Sequence, residues 1–210
     1  MPLPHYWSRL YGITPNRHST GQLLAEVEAA LQGGLRCLQY RDKIADPPTR
    51  LQRALALKAL CTTYAAQLII NDDYALSQAI GADGVHLGQG DGDPSQVRQL
   101  LGPDKIIGVS CHNSLVLATQ AAPWADYLAF GAVYPSLNKP DAIQCSLSVF
   151  KTARLLHLPT VAIGGIRTEH CATLCNAGAD ALAVIGDLFD VPDIRQHTLN
   201  WLELLTRFYP

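Results

Sequence analysis

Short apolar runs, each stopped by glycine or by polar residues, recur along the whole chain. Runs of this kind suit parallel strands buried on both faces, whereas apolar positions spaced three and four apart suit helices packed on one side. The pattern predicts strands at 10–14, 35–40, within 68–73, within 83–91, and at 105–110, 126–131, 159–163 and 181–185. Between them it predicts helices at 20–31, 46–66, 74–80, 94–101, 112–122, 146–156 and 168–177, with a last helix at 191–208. Thr20, Thr168 and Asp73 are placed to cap helices, Pro47 suits a first helical turn, and Gly33-Gly34 suits a stop. Residues 1–9 read as a loose arm, and 132–145 as an irregular segment rich in Pro, Ser and Asn.

Eight strands alternating with helices, at roughly 26 residues per unit, predict one compact (β/α)8 TIM barrel over 10–210. An internal echo supports it. Ala82-Asp83-Gly84, Ala125-Asp126-Tyr127 and Ala179-Asp180-Ala181 each put a small residue and an Asp before a buried strand that ends near a glycine. The rival, an open doubly wound sheet, would lead us to look for a G-x-G-x-x-G turn, and the chain has none.

Composition narrows the class. Of the 210 residues 48% are hydrophobic and only 16% charged, which favours a large, well-covered core. A net charge of −2 without basic stripes or charge blocks gives no sign of nucleic acid as a partner. No uninterrupted apolar stretch approaches the ~20 residues of a membrane span, and the N-terminus lacks the regions of a signal peptide, so a cytoplasmic protein is expected. The six cysteines are scattered without a Cys-x-x-Cys pair and read as reduced, mostly buried thiols. An oligomer of identical chains is compatible with all of this.

In such barrels chemistry gathers at the C-terminal ends of the strands. If the third and fourth strands lie side by side, Asp72 and Asp91 emerge at one rim with Asn71 beside them, a set suited to a hard cation such as Mg²⁺. Magnesium held by one or two carboxylates commonly shares its shell with substrate phosphates, so phosphorylated small molecules are the expected partners. The same rim collects Gln39, Arg41, Lys43, Gln89, Ser110, His112, Ser136, Asn138 and Lys139. It holds no obvious nucleophile–base pair. Gly164-Gly165 and Ile185-Gly186 end the last two strands, where these barrels cradle a phosphate. Arg41, Lys43 and Lys139, with a magnesium ion, would form a second and stronger anion site, able to draw off a pyrophosphate leaving group. His86 reads as a packed strand-end histidine, His112 sits at a strand–helix junction, and Trp7, Trp124 and Trp201 read as packing residues.

Leu38-Gln39-Tyr40-Arg41-Asp42-Lys43, Ile69-Ile70-Asn71-Asp72, the 81–91 stretch ending His86-Leu87-Gly88-Gln89-Gly90-Asp91, Gly108-Val109-Ser110-Cys111-His112, the 130–140 stretch and Ala162-Ile163-Gly164-Gly165-Ile166 together resemble the thiamine phosphate synthase family. The resemblance implies joining of 4-amino-2-methyl-5-hydroxymethylpyrimidine diphosphate to thiazole phosphate, with pyrophosphate leaving first. It implies that the pyrimidine diphosphate is held by Gln39, Tyr40, Arg41, Asp42, Lys43, Asn71, Ser110 and Lys139, with Arg41, Lys43, Lys139 and Ser110 acting in catalysis. It also implies one Mg²⁺ per subunit on Asp72 and Asp91, and thiazole phosphate on Ser136, Leu137, Asn138, Gly165, Ile185 and Gly186. Asn138 and Gly186 stand where the family more often has threonine and a hydroxyl, so weaker thiazole phosphate binding is expected.

Two other readings stay open from the residues. A thiazole tautomerase of the same superfamily would use His112 for proton transfer and would have no diphosphate to hold. A non-catalytic sensor of phosphorylated ligands would keep the barrel and lose turnover.

Overall fold

The computed structural model describes residues 9–135 and 144–208. Eight strands lie in it: β1 (Leu10–Ile13), β2 (Cys37–Tyr40), β3 (Gln67–Asn71), β4 (Gly84–Leu87), β5 (Ile106–His112), β6 (Tyr127–Phe130), β7 (Thr160–Ile163) and β8 (Ala181–Val184). All neighbours pair in parallel and in sequence order, and β1 also pairs with β8, which closes the barrel. The α-helices are α1 (Thr20–Gln32), α2 (Pro47–Thr63), α3 (Tyr74–Ala79), α4 (Pro94–Leu101), α5 (Leu115–Ala121), α6 (Ser148–Ala153), α7 (Cys171–Ala177), α8 (Gly186–Phe189) and α9 (Ile194–Thr206). Among the described residues no helix is long and apolar enough to cross a membrane.

The closed parallel barrel is the architecture expected from the alternating runs, and its strands divide the side chains by parity. Leu38, Leu68, Ile70, Val85, Leu87, Val109, Leu128 and Phe130 belong to the large core packed under the helices. Their alternates Tyr11, Cys37, Ile69, Tyr127 and Ala129 form the smaller cluster inside the barrel. With a strict period of two, Gln39, Asn71, His86 and Ser110 face the interior as well. On β2 to β5 the interior is thus polar toward the C-terminal mouth, whereas Ile13, Ile163 and Ile185 keep it apolar at the ends of β1, β7 and β8. The six cysteines are thiols rather than disulfides, and five of them are buried.

The repeated Asp corner has a structural cause. Asp83 donates its backbone N–H to the Leu68 carbonyl (3.0 Å), and its carboxylate accepts the Leu68 N–H (2.8 Å). Asp126 makes the same two-point clasp on Ile107 (2.7 and 2.7 Å), and Asp180 makes it on Thr160 (2.8 and 2.9 Å). Each Asp before an even strand therefore holds the start of the odd strand preceding it. The Asp180 carboxylate also accepts the Thr160 hydroxyl at 3.0 Å, and Thr160 is wholly buried. Asp180→Ala strands the Thr160 N–H and leaves the hydroxyl only a long bond to the Gly178 carbonyl (3.5 Å), and charge-assisted bonds of the kind lost contribute about 1.5–3 kcal/mol. We expect a loss of that size in urea unfolding, with turnover unchanged because the clasp lies at the foot of the barrel.

Several boundaries differ from the sequence expectation. Ser19, not Thr20, caps α1, its hydroxyl accepting the Gln22 N–H, while the Thr20 hydroxyl accepts from Arg53. β5 runs on to His112 through a register shift after Ser110, with His112 at φ +51°, so α5 starts only at Leu115 behind Ser114 as cap. Residues 168–170 form a 3₁₀ turn that precedes α7, with Arg167 rather than Thr168 at the cap position. The expected last helix is α9, capped by Asp193, and a further short helix, α8, follows β8 directly where only a stop at Gly186 was expected. Trp201 is buried as expected and donates to Asp187 of α8 at 3.0 Å, whereas Trp124 is 40% exposed. Asp73 caps α3 as expected, and Asp46 caps α2 with Pro47 in its first turn. The arm, but for Arg9, lies outside the described residues, as does Trp7.

Candidate active site

β3 is followed by a left-handed residue, Asp72 (φ +66°), whose N–H donates to the His86 carbonyl of β4 at 2.8 Å. An aspartate tolerates this conformation better than most residues with a side chain. The turn carries Asp72 toward the loop after β4, where Asp91 stands. There the Asp91 carboxylate folds back on the chain and accepts the Gly88 N–H at 2.9 Å. Gly88 permits it, since a Cβ at that position would lie 2.6 Å from the carboxylate oxygen. The Asp72 and Asp91 carboxylates come within hydrogen-bonding reach of each other. Burial first, then the neighbouring Asp72, push the Asp91 carboxyl above the usual carboxylate range, partly offset by the Gly88 N–H and Lys43. Lys43 forms a short ion pair with Asp72.

Two crowded acids at an accessible rim form a donor set a hard divalent cation would suit, provided other oxygens complete its shell. The described residues contain no cluster of three or more His, Cys, Asp or Glu side chains able to hold a metal ion alone. The pair therefore fits a cation shared with an oxyanion better than a fully protein-bound one.

The stretch after β2 is held from two sides. The Thr14 hydroxyl donates to the Arg41 carbonyl (2.9 Å) and accepts the Arg41 N–H (2.8 Å), and the Asn16 side chain accepts the Lys43 N–H (3.0 Å). Between the two cations Asp42 is turned inward. Its carboxylate accepts from Arg53 (2.7 Å), the Tyr40 hydroxyl (3.1 Å) and the N–H groups of Ile44 and Ala45 (3.1 and 2.9 Å). Tyr40 and Asp42 border the cleft that Lys43, Asn71 and Asp72 line, but their polar atoms are engaged by the protein. Arg50, from the first turns of α2, lines the same cleft, a cation the sequence reading left out.

A polar chain crosses the barrel interior below the mouth. Gln39 Nε2 donates to Tyr11 Oη (2.9 Å), which meets Tyr127 Oη (2.9 Å), then His86 Nδ1 (2.8 Å). The other ring nitrogen, Nε2, meets Ser110 Oγ at 3.1 Å. Gly108 leaves room for the Tyr127 ring, which would collide with a Cβ there at 1.9 Å. Burial pushes the His86 imidazole down to about 4, against the opposing pull of Asp72, and raises both tyrosines. Ser110 and His86 thus meet inside the barrel, a contact that the sequence reading did not foresee. His86 is buried, as expected of a packed residue, but it is also bonded at both nitrogens.

At the far side of the mouth Gly164 (φ +106°) and Gly165 (φ +60°) follow β7, and the chain at Ala132 and Pro135 packs too close for a Cβ on either. β8 pairs with β7 and passes through Ile185 straight into α8, so Gly165, Ile185 and Gly186 share one rim. Ser136, Leu137, Asn138 and Lys139 lie outside the described residues.

A family model described as "Thiamine monophosphate synthase" matches residues 10–188. A protein of Methylobacillus flagellatus named thiamine-phosphate synthase is 50% identical over 196 residues, 93% of this chain and 94% of its own. One of Thiobacillus denitrificans with the same name is 48% identical over 189 residues, 89% of this chain and 90% of its own. Among solved structures, a thiamine phosphate pyrophosphorylase from Pyrococcus furiosus superposes with a TM-score of 0.84 at 29% identity, covering 96% of each chain.

Proposed function

From the premise that this chain belongs to the thiamine monophosphate synthase family, we propose that it joins 4-amino-2-methyl-5-hydroxymethylpyrimidine diphosphate to thiazole phosphate, forming thiamine phosphate and pyrophosphate. The observation that carries this reading is the meeting of Asp72 and Asp91 at one rim, with Lys43 paired to the first of them. These groups suit a diphosphate bound together with a metal ion and have no evident use in a barrel that handles a single phosphate.

In this reading Gln39, Asn71 and Ser110 orient the pyrimidine diphosphate at the mouth, and Arg41 and Lys43 bind its diphosphate, with Lys139 assigned the same role. Asp72 and Asp91 would hold Mg²⁺, which would supply neutralising charge to a departing pyrophosphate. Tyr40 and Asp42 line the same cleft, and their side-chain bonds within the protein support the loop that carries Arg41 and Lys43. Gly165, Ile185 and Gly186, with Ser136, Leu137 and Asn138, receive thiazole phosphate. Positive side chains that attract charge as it develops on the leaving group favour a dissociative step, after which the thiazole nitrogen captures the pyrimidinylmethyl cation.

Pyrophosphate release is the test. It is expected only when both substrates and Mg²⁺ are present. Isomerisation of a thiazole carboxylate phosphate without the pyrimidine would instead favour the tautomerase reading, and binding without turnover would favour the sensor.

A further inference from the structure

α2 carries two arginines one turn apart, and its geometry sends them to different places. Its N-terminal end follows the C-terminal end of β2, so it lies at the mouth, where Pro47 and Pro48 stiffen the first turn and Asp46 caps it. Arg53 is buried beneath the loop after β2 and meets Asp42 there. Arg50 stands three residues earlier on the same face of the helix, and helical side chains lean toward the N-terminus. It therefore emerges above Arg53, in the cleft lined by Lys43, Asn71, Asp72 and Asp73. This cleft runs outward from the barrel interior, since Tyr40 and Ile70 in its wall belong to the core under the helices.

The acids around Arg50 are already engaged. Asp42 accepts from Arg53, Asp72 pairs with Lys43, and the Asp73 carboxylate accepts the Leu76 N–H at 2.8 Å. Among the described residues no partner stands within hydrogen-bond or ion-pair distance of the Arg50 guanidinium. Its charge still reaches the cleft wall: burial and Asp42 raise the Tyr40 hydroxyl, and Arg53 and Arg50 pull against that rise. A half-buried cation among engaged carboxylates is a place for an anion from outside.

We propose that Arg50 is a further diphosphate-binding residue, which holds the terminal phosphate of the pyrimidine diphosphate and makes the site demand two phosphates rather than one. The proposal rests on the reading given under Proposed function for the identity of the substrate. In that reading the pyrimidine lies at the mouth, and the diphosphate meets Lys43 and the Asp72–Asp91 pair at the rim. Two linked phosphates that continue outward from the rim enter the cleft, where they meet Arg50. A planar guanidinium grips a terminal phosphate through two parallel N–H donors, which a lysine ammonium does not reproduce. The role is binding rather than catalysis. New negative charge appears on the oxygen that leaves the pyrimidinylmethyl carbon, at the other end of the diphosphate. The terminal phosphate is charged before and after that bond breaks. An interaction equally strong in both states lowers KM without raising kcat.

Inorganic pyrophosphate is the probe, titrated calorimetrically into the full-length protein with Mg²⁺, and inorganic phosphate is the comparison. Arg50→Gln keeps part of the aliphatic stem and the helix propensity while losing the charge. It should weaken pyrophosphate binding about tenfold, the effect of one charge-assisted contact, and change phosphate binding by less than about twofold. Arg50→Lys should recover only part of that loss. In the two-substrate assay Arg50→Gln should raise KM for the pyrimidine diphosphate about tenfold, with kcat and the KM for thiazole phosphate within about twofold of wild type. Pyrophosphate binding that is unchanged in Arg50→Gln, or absent from the wild type, would overturn the proposal, as would equal losses for phosphate and pyrophosphate. Should Arg50→Gln fold poorly, Arg50→Lys decides alone, and wild-type pyrophosphate affinity in it overturns the proposal. Failure of the two-substrate assay, by contrast, would remove the synthase reading and leave the pyrophosphate comparison standing.

Discussion

Asp91→Ala is expected to lower kcat by about 10²–10³-fold, on the order of 3–4 kcal/mol of lost electrostatic stabilisation. Residual turnover should lose its dependence on Mg²⁺ concentration. The argument starts from the two carboxylates. Unliganded, Asp91 gains one hydrogen bond from Gly88 and suffers burial and the nearby Asp72 charge. Such crowding opposes the ionised state unless a cation lies between the acids. Removing Asp91 should therefore leave stability nearly untouched, within about 1 kcal/mol in urea unfolding. Activity and stability then separate, which a variant that simply folds badly would not do. A variant that keeps both its turnover and its magnesium dependence would show that Asp91 has been assigned wrongly.

How far each feature was legible in the sequence follows from its range along the chain. The strands announce themselves because each is a local apolar run, and the parity that turns Gln39, His86 and Ser110 inward can be read from the same runs. α8 has four residues and no periodicity to detect, so β8 seemed to end in a bare glycine turn. The register shift after Ser110 depends on pairing with β6, which no stretch of β5 encodes by itself. Tyr11 and Tyr127 are 116 positions apart, and their bond exists only because closure places both rings inside the barrel. The Asp corners show the intermediate case. Their recurrence was visible, but each clasp reaches 15 to 20 residues back to the previous strand. Arg53 was the hardest to see. In sequence it is one basic residue on an amphipathic helix, with nothing nearby to distinguish it from a solvated charge.

That arginine leads to the largest expected loss of stability, for Arg53→Ala. Its side chain is 3% exposed and its partner Asp42 1%, with the two 2.7 Å apart. The guanidinium also donates to the carbonyls of Arg17 and His18 (2.8 and 2.7 Å) and to the Thr20 hydroxyl (2.9 Å), so it ties the loop after β1 to the loop after β2. Removing one member of a buried pair leaves the other charge uncompensated, which costs about 3–5 kcal/mol. The pH dependence carries a sign that checks the cause. Burial alone would raise the Asp42 carboxyl, but the Ala45 N–H, Arg53, the Ile44 N–H and the Tyr40 hydroxyl together bring it below the usual carboxylate range. A carboxyl lowered in the folded state stabilises fully above its unfolded value, about 3.9, and that stabilisation fades as pH falls through the folded value. Without Arg53 the same buried carboxylate is relieved by protonation instead. The stability gap between wild type and Arg53→Ala in urea unfolding should therefore be widest near neutral pH and narrow below about pH 4. A gap constant across that range would mean that packing, not charge, is what Arg53 contributes. Because Asp42 lies between Arg41 and Lys43, the charge explanation also predicts a higher KM for the pyrimidine diphosphate and a smaller change for thiazole phosphate, measured on the folded fraction of the variant.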